Sequence, residues 1–182
     1  MPIVELLEDI ANPSFAALLA GISVPGQTAV AESLIVIAAA ALALRRQWLK
    51  AVFMLATSSS LAIIFFIKVA TARPRPIPET TDRNWLLFPF EGSSFPSGHA
   101  VFYTVFFGML GYLAWVHLTG YLRWAAVTVC AALILLVGPS RVFLGAHWPS
   151  DVVGGYLIGG AWLMVLVGAY DWARSRPAST KE

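Results

Sequence analysis

The chain has 182 residues, of which 58% are hydrophobic and only 12% are charged, and its formal net charge is +2. A soluble domain carries about 25% charged residues, so one aqueous domain of this length could not hide so much apolar surface, and we expect the lipid bilayer to be its partner. The small net charge and the lack of a basic run argue against nucleic acid. The single cysteine, Cys130, cannot form an intrachain disulfide and is interpreted as a core residue.

The first 24 residues differ from the rest of the chain. Between residues 3 and 10, apolar residues recur at i, i+3, i+4 and i+7 with acidic residues opposite, which predicts an amphipathic helix. Asn12-Pro13 is typical of a helix start and predicts a second short helix over Pro13–Ile22. We expect residues 1–24 to lie on the membrane surface, and the alternative is one broken sixth span. No basic segment precedes the apolar part, which argues against a cleaved secretory signal.

Five further stretches are apolar enough to cross a bilayer. A crossing helix needs about 20 residues, and each stretch approaches that length with its flanking Trp, Tyr and small residues. Runs of this length satisfy their backbone hydrogen bonds as helices rather than as alternating barrel strands. The predicted fold is therefore all-α, a polytopic transmembrane helical bundle of five or six spans. The predicted spans are Thr28–Leu44, Ala51–Ile67, Ala100–Val116, Trp124–Val137 and Val152–Tyr170.

The spans are predicted to form one domain, residues 25–172, followed by a cytoplasmic tail, residues 173–182. Within the last span, Gly155 and Gly159 are four residues apart. Small residues at this spacing let membrane helices approach closely, so we interpret the pair as a packing feature rather than a catalytic one.

Basic residues between the spans predict the orientation. With five spans, the link between the first two, the link between the third and fourth, and the C-terminal tail lie on one side. The positive-inside rule makes that side cytoplasmic. The outer side also carries basic residues, contrary to that rule, and phosphate binding would explain them. The cytoplasmic set is Arg45, Arg46, Lys50, Arg123, Arg174, Arg176 and Lys181, and the outer set is Lys68, Arg73, Arg75, Arg83 and Arg141.

Three polar clusters lie at the outer ends of the predicted spans. The first runs from Lys68 to Arg75-Pro76, the second is Pro96–His99, and the third runs from Ser140-Arg141 to Asp151. Each feature alone has a simpler explanation, such as a snorkelling lysine or a helix cap. Polar groups at a membrane boundary are costly unless they are paired, so their occurrence together on one side predicts a shared site.

These residue types suit phosphoryl transfer. A phosphoryl group in transfer spreads negative charge over three oxygens, which Arg75 and Arg141 can meet with planar donor forks and Lys68 with a point charge. Ser97 and the Gly98 amide precede a helix, and a helix N-terminus can bind an anion. The residue type alone leaves Ser140 open between phosphate binding and helix capping.

Two histidines remain for making and breaking bonds. His147 and Asp151 are one helical turn apart, so the carboxylate can hold one ring nitrogen and aim the other at phosphorus if the chain is helical from Trp148 onward. A histidine oriented by a carboxylate is typical of a nucleophile. His99 would then protonate the departing oxygen and later activate water.

With these clusters the chain resembles the type 2 phosphatidic acid phosphatase superfamily, the lipid phosphate phosphatases, which share a core with vanadium haloperoxidases and bacterial acid phosphatases. The superfamily pattern K-x6-RP, PSGH and SR-x5-H-x3-D is matched without a gap. The resemblance covers roughly Ala51–Gly160. It implies a helical-bundle core and a reaction that needs no metal or other cofactor and passes through a phosphohistidine.

In that scheme His147 is the nucleophile, Asp151 is its partner and His99 is the acid and base. The phosphate-binding residues that the resemblance implies are Lys68, Arg75, Ser97, Gly98, Ser140 and Arg141. The pattern does not set the roles of Arg73 or of the loop Pro76–Phe95, which either contributes to substrate choice or covers the site.

The resemblance predicts an enzyme that removes phosphate from a lipid monoester or diphosphate at the outer face of a bacterial inner membrane. Undecaprenyl diphosphate is the leading substrate, and phosphatidylglycerol phosphate, phosphatidic acid and lipid A phosphates stay open. A phosphotransferase is the enzymatic alternative. A lipid-phosphate binder without turnover is the non-enzymatic one, and the presence of both His99 and His147 argues against it.

Overall fold

The computed structural model describes residues 13–76 and 93–176, and the regular structure within these ranges is helical. This confirms the predicted all-α fold. The helices are α1 (Pro13–Ser23), α2 (Thr28–Leu44), α3 (Trp48–Ala56), α4 (Ser59–Thr71), α5 (Gly98–His117), α6 (Gly120–Phe143) and α7 (Pro149–Ser175), with a short 3-10 helix (Val24–Gly26) between α1 and α2.

Helix α5 forms the centre of the bundle. It packs against α3, α4, α6 and α7, and most of its side chains are buried. Phe102 and Phe106 stack on one another within this core, at 5.2 Å between ring centroids. Helices α6 and α7 bury a much smaller share of their surface and expose large apolar residues such as Leu135 and Leu157. An apolar outer surface around a packed central helix suits a bundle surrounded by lipid.

Within residues 13–76 and 93–176, four helical stretches are long and apolar enough to cross a membrane: Trp48–Thr71, Gly98–His117, Gly120–Phe143 and Pro149–Ser175. Pro13–Gly26 and Thr28–Leu44 form a pair bent by 59°, which makes a fifth crossing if the two count together. This agrees with the five predicted spans. The amphipathic stretch predicted over residues 3–10 lies outside the described residues.

The second predicted span is interrupted, which the sequence did not reveal. Helix α3 ends at Ala56 and α4 begins at Ser59. The hydroxyl groups of residues 57–60 each donate to the carbonyl three residues earlier. Hydroxyls that bond backwards in this way compete with the helical N–H donors and bend a helix. Beyond the break, α4 carries Lys68 in its last turn.

Helix α6 extends past its predicted end. The sequence predicted a helix to Val137 followed by a link as far as Asp151, and that boundary is wrong. The helix continues to Phe143, so Ser140 and Arg141 lie in its last turns rather than in a loop.

Helix α6 can continue through Pro139 because a side chain from α7 bonds to the helix backbone beside the proline. Pro139 has no N–H to donate within the helix. Beside it, the Tyr156 hydroxyl accepts from the Gly138 amide at 3.0 Å and donates to the Ile134 carbonyl at 2.7 Å. A backbone group at membrane depth must be satisfied inside the protein, and Tyr156 does this at the proline.

Two of the glycines of α7, Gly155 and Gly159, allow it to lie directly on α5. A Cβ added to Gly155 would lie 2.9 Å from the Ser97 carbonyl oxygen, and one added to Gly159 would lie 2.9 Å from Cβ of Thr104. The packing interpretation of this pair is therefore confirmed. The close approach lets the Ser97 amide donate to the Asp151 carbonyl at 3.0 Å, which joins the starts of α5 and α7.

Candidate active site

The three polar clusters meet at one end of the bundle. Helices α4 and α6 end there, and α5 and α7 begin there. The nine residues predicted from the sequence all fall within the described ranges: Lys68, Arg75, Ser97, Gly98, His99, Ser140, Arg141, His147 and Asp151.

Three cations border both histidines. Lys68, Arg75 and Arg141 each interact electrostatically with His99 and with His147. Lys68 is only 7% exposed, and its Nζ donates to the Ser93 carbonyl. Because one set of positive charges acts on two imidazole rings, the rings share a space whose field favours an anion.

His147 is held with one ring nitrogen hydrogen-bonded and the other left with its lone pair. The side chain is 3% exposed, and its Nδ1 lies 2.8 Å from the Ser94 carbonyl oxygen. A carbonyl can only accept, so Nδ1 carries the proton and Nε2 keeps its lone pair. Burial, and then the nearby charges of Arg75, Arg141 and Lys68, lower the pKa of His147 from 6.5 to about 2. The ring is therefore neutral at physiological pH.

The Asp151 carboxylate is fully buried and has three neighbours. One oxygen accepts from the Trp148 amide at 2.8 Å and so caps the start of α7. The other accepts from the Arg73 guanidinium at 2.7 Å. The carboxylate lies 3.8 Å from His147 Nδ1. His147 thus donates its direct hydrogen bond to the Ser94 carbonyl, and Asp151 supplies a negative charge beside the ring.

Arg73, whose role the sequence left open, joins the first cluster to the third. Besides Asp151, its guanidinium donates to the Ser150 hydroxyl at 2.8 Å and lies 5.9 Å from the centre of the Trp148 ring. Its backbone carbonyl accepts from the Ser94 amide at 2.7 Å. Arg73 therefore pairs with the carboxylate that lies beside His147.

Ser93 and Ser94 are functional-site residues that the sequence analysis missed. They act on Lys68 and His147 through their backbone carbonyls. The Ser94 hydroxyl also donates to the Pro74 carbonyl at 3.0 Å. A residue that contributes main-chain oxygens can be of almost any type, so no side-chain pattern would have identified it.

The N-terminal helix also reaches the site. The Ser140 hydroxyl donates to the Leu19 carbonyl at 2.8 Å and lies 2.6 Å from the Ser23 hydroxyl. The Ser23 carbonyl in turn lies 3.1 Å from His99 Nε2. Ser140 therefore anchors α1 in this structure, and phosphate binding by its hydroxyl stays a prediction.

Residues 47–175 match the PAP2 superfamily, and this range contains all three clusters. The chain therefore belongs to the PAP2 superfamily, as its resemblance to the type 2 phosphatidic acid phosphatases predicted.

Curated relatives are lipid phosphatases by name. The chain is 35% identical over 85 residues to the putative undecaprenyl-diphosphatase YbjG of Escherichia coli, covering 47% of this chain and 38% of that protein. It is 32% identical over 128 residues to the lipid A 1-phosphatase of Rhizobium johnstonii, covering 68% of this chain and 48% of that protein. The chain thus spans less than half the length of these relatives.

A solved structure has the same fold. The crystal structure of a transmembrane PAP2-type phosphatidylglycerolphosphate phosphatase from Bacillus subtilis aligns with a TM-score of 0.80 at 25% identity, covering 96% of this chain and 86% of that one. Together with the apolar helices, this supports an integral membrane protein.

The ion pair between Arg73 and Asp151 should stabilise the position of His147. We expect Arg73→Gln to lower the free energy of unfolding by about 1–3 kcal/mol, below the cost of breaking a fully buried pair because Arg73 is 39% exposed. We also expect kcat to fall by about 10- to 100-fold through misplacement of the His147 neighbourhood. Thermal unfolding in detergent and steady-state kinetics would measure both effects.

Arg73→Lys should recover part of the loss, because an ammonium group can still pair with Asp151. Arg45→Gln, which removes an exposed arginine between α2 and α3, is the matched control and should behave as wild type. Equal behaviour of Arg73→Gln and Arg45→Gln would refute the role given to the pair.

Proposed function

We propose that this protein is a lipid phosphatase that hydrolyses a phosphate monoester or diphosphate on a membrane lipid through a phosphohistidine intermediate. The observation that carries the proposal is that Lys68, Arg75 and Arg141 act on two histidines at once. Membership of the PAP2 superfamily and the names of its relatives support lipid phosphates as the substrate class.

In the proposed first step, Nε2 of His147 attacks phosphorus, and the bond from phosphorus to the lipid oxygen breaks. His99, in its charged form, gives one of its two ring protons to that oxygen and becomes neutral. The three cations stabilise the charge on the equatorial phosphoryl oxygens, which is the main requirement of phosphoryl transfer. Asp151, 3.8 Å from Nδ1, favours the positive charge that the His147 ring gains on bonding to phosphorus.

In the second step, His99 takes a proton from water as the water attacks the phosphohistidine. Inorganic phosphate leaves, and His147 returns to its neutral form. If an alcohol or a phosphate on another molecule takes the place of water, the same site becomes a phosphotransferase. The two reactions differ only in the acceptor.

We propose undecaprenyl diphosphate as the first substrate, which the relationship to the Escherichia coli diphosphatase favours. Phosphatidylglycerol phosphate is the second candidate, favoured by the similarity in fold to the Bacillus subtilis phosphatase. Lipid A 1-phosphate is favoured by the Rhizobium johnstonii relative. All three present a terminal phosphate on a lipid, which is the group that the cations would bind.

A panel of these lipids and phosphatidic acid, offered to the purified protein with EDTA present throughout, tests the substrate and the metal requirement. We expect phosphate release from at least one lipid and no change on adding Mg²⁺, because three side-chain cations take the part of a divalent clamp. Loss of turnover in chelator with recovery in Mg²⁺ would contradict the metal-independent mechanism. Tight binding of a lipid without phosphate release would favour the non-enzymatic alternative.

We also propose that the site lies on the outer face of a bacterial inner membrane. At the other end of the bundle, Lys50 and Arg174 both interact electrostatically with His117, and Arg123 donates to the Leu118 carbonyl. These three residues of the set assigned to the cytoplasm thus lie at the end opposite the site, which supports the orientation from the positive-inside rule.

Single cysteines would test this orientation, after Cys130→Ala has removed the native thiol. Ser150→Cys lies beside the site and Thr119→Cys lies between α5 and α6, and both positions are exposed. An impermeant thiol reagent should label Ser150→Cys but not Thr119→Cys in intact cells, and should label both after permeabilisation. The reverse pattern in intact cells would put the site on the cytoplasmic face.

The two histidines should respond differently to substitution. His147→Ala should lower kcat by on the order of 10³-fold or more with every substrate, because no covalent intermediate can form. His99→Ala should lower it by about 10²–10⁴-fold with a lipid alkoxide leaving group, which needs its proton in the transition state. An aryl phosphate has a better leaving group, so its first step should be largely restored in His99→Ala.

Water attack then becomes slow in His99→Ala, and radiolabelled phosphate should accumulate on His147. His117→Ala, which removes the histidine at the opposite end of α5, is the matched control. If His99→Ala loses the same factor with aryl and alkyl substrates and traps no phosphoenzyme, the assigned roles are wrong.

A further inference from the structure

We propose that Ser23, the last residue of α1, and Gly26, in the following 3-10 helix, are positioning residues that orient His99 so that its Nδ1 exchanges the proton with the substrate. This inference rests on the acid and base role proposed above for His99. It assigns a positioning function to a segment outside the superfamily pattern and outside the matched range of residues 47–175.

The hydrogen bond from His99 to Ser23 fixes which ring nitrogen can do chemistry. His99 Nε2 lies 3.1 Å from the Ser23 carbonyl oxygen. A carbonyl can only accept, so Nε2 must carry a proton for this bond to form. That proton stays on Nε2 whether the ring is neutral or charged. Proton exchange with the leaving oxygen and with water therefore falls to Nδ1.

Gly26 packs against one side of the His99 ring. A Cβ added at Gly26 would lie 2.8 Å from His99 Cγ and 2.9 Å from Nε2, closer than real Cβ atoms approach other atoms. The position thus needs glycine because the ring occupies the space of a side chain. A methyl group there would push the imidazole away from the Ser23 carbonyl.

The segment that holds His99 is itself tied to the helices of the site. Ser140, near the end of α6, bonds to the Leu19 carbonyl and to the Ser23 hydroxyl. Tyr103, one turn after His99 on α5, donates to the Ile22 carbonyl. Helix α1 also packs along α6. These contacts fix the position of the Ser23 carbonyl relative to α5 and α6. They therefore also fix the orientation of His99 relative to the proposed phosphate-binding groups.

Gly26→Ala in the full-length protein tests the proposal. We expect a loss of on the order of 10²-fold in kcat with a lipid phosphate monoester, the size of effect that a misplaced catalytic group produces. The loss should be much smaller with 4-nitrophenyl phosphate, whose leaving group needs little protonation. Gly21→Ala is the matched control, because a Cβ there meets no heavy atom within 4 Å. It should retain wild-type rates on both substrates.

A second measurement reports directly which nitrogen of the His99 ring carries the proton. ¹⁵N spectra of histidine-labelled protein, assigned with His99→Gln, should show the His99 proton on Nε2 in wild type at neutral pH. Gly26→Ala should lose that preference. A neutral His99 ring with its proton on Nδ1 rather than Nε2 in wild type would overturn the proposal, whether or not the variant folds.

The failures of the two proposals are distinguishable. If His99→Ala itself shows no dependence on the leaving group, the proposed acid and base role of His99 fails. If His99→Ala shows that dependence but Gly26→Ala matches Gly21→Ala in rates and in spectra, the positioning role of α1 fails and the phosphatase mechanism stands.

Discussion

Three positive charges held beside a buried histidine, at the end of an apolar bundle, are the constraint on which the site depends. Charges in such a place are costly unless oxygen atoms surround them. For Lys68 the backbone provides such an oxygen, the Ser93 carbonyl. The segment that precedes α5 therefore has to lie against the end of α4. The close packing of α7 on α5 completes the arrangement by bringing Asp151 to Ser97.

Much of the fold and the site could be predicted from the sequence because both depend on local patterns. The spans follow from apolar runs of the right length, and the start of α7 follows from Pro149 and Asp151. The end of α6 could not be predicted in this way. Gly138 and Pro139 normally end a helix, and here a hydroxyl from another helix, that of Tyr156, bonds to the backbone beside them.

The missed parts of the site share a dependence on contacts between residues distant in sequence. The pairing of Arg73 with Asp151 joins residues 78 positions apart. The Ser94 carbonyl bonds to His147 across 53 positions, and the Ser23 carbonyl bonds to His99 across 76. A linear pattern carries the types of the catalytic side chains. It does not carry the main-chain acceptors that fix their tautomers, since those acceptors put no demand on residue type.

The two fixed tautomers suit the opposite tasks that the proposed mechanism gives the histidines. Ser94 holds the proton of His147 on Nδ1. Burial, together with the nearby cations, keeps a second proton off Nε2, so Nε2 is available before the substrate arrives. A bound phosphate dianion offsets those same cations. It also attracts a proton to the neighbouring His99 ring, because opposite charges favour the protonated form. Substrate binding would thus supply the acid only once there is a leaving group to protonate.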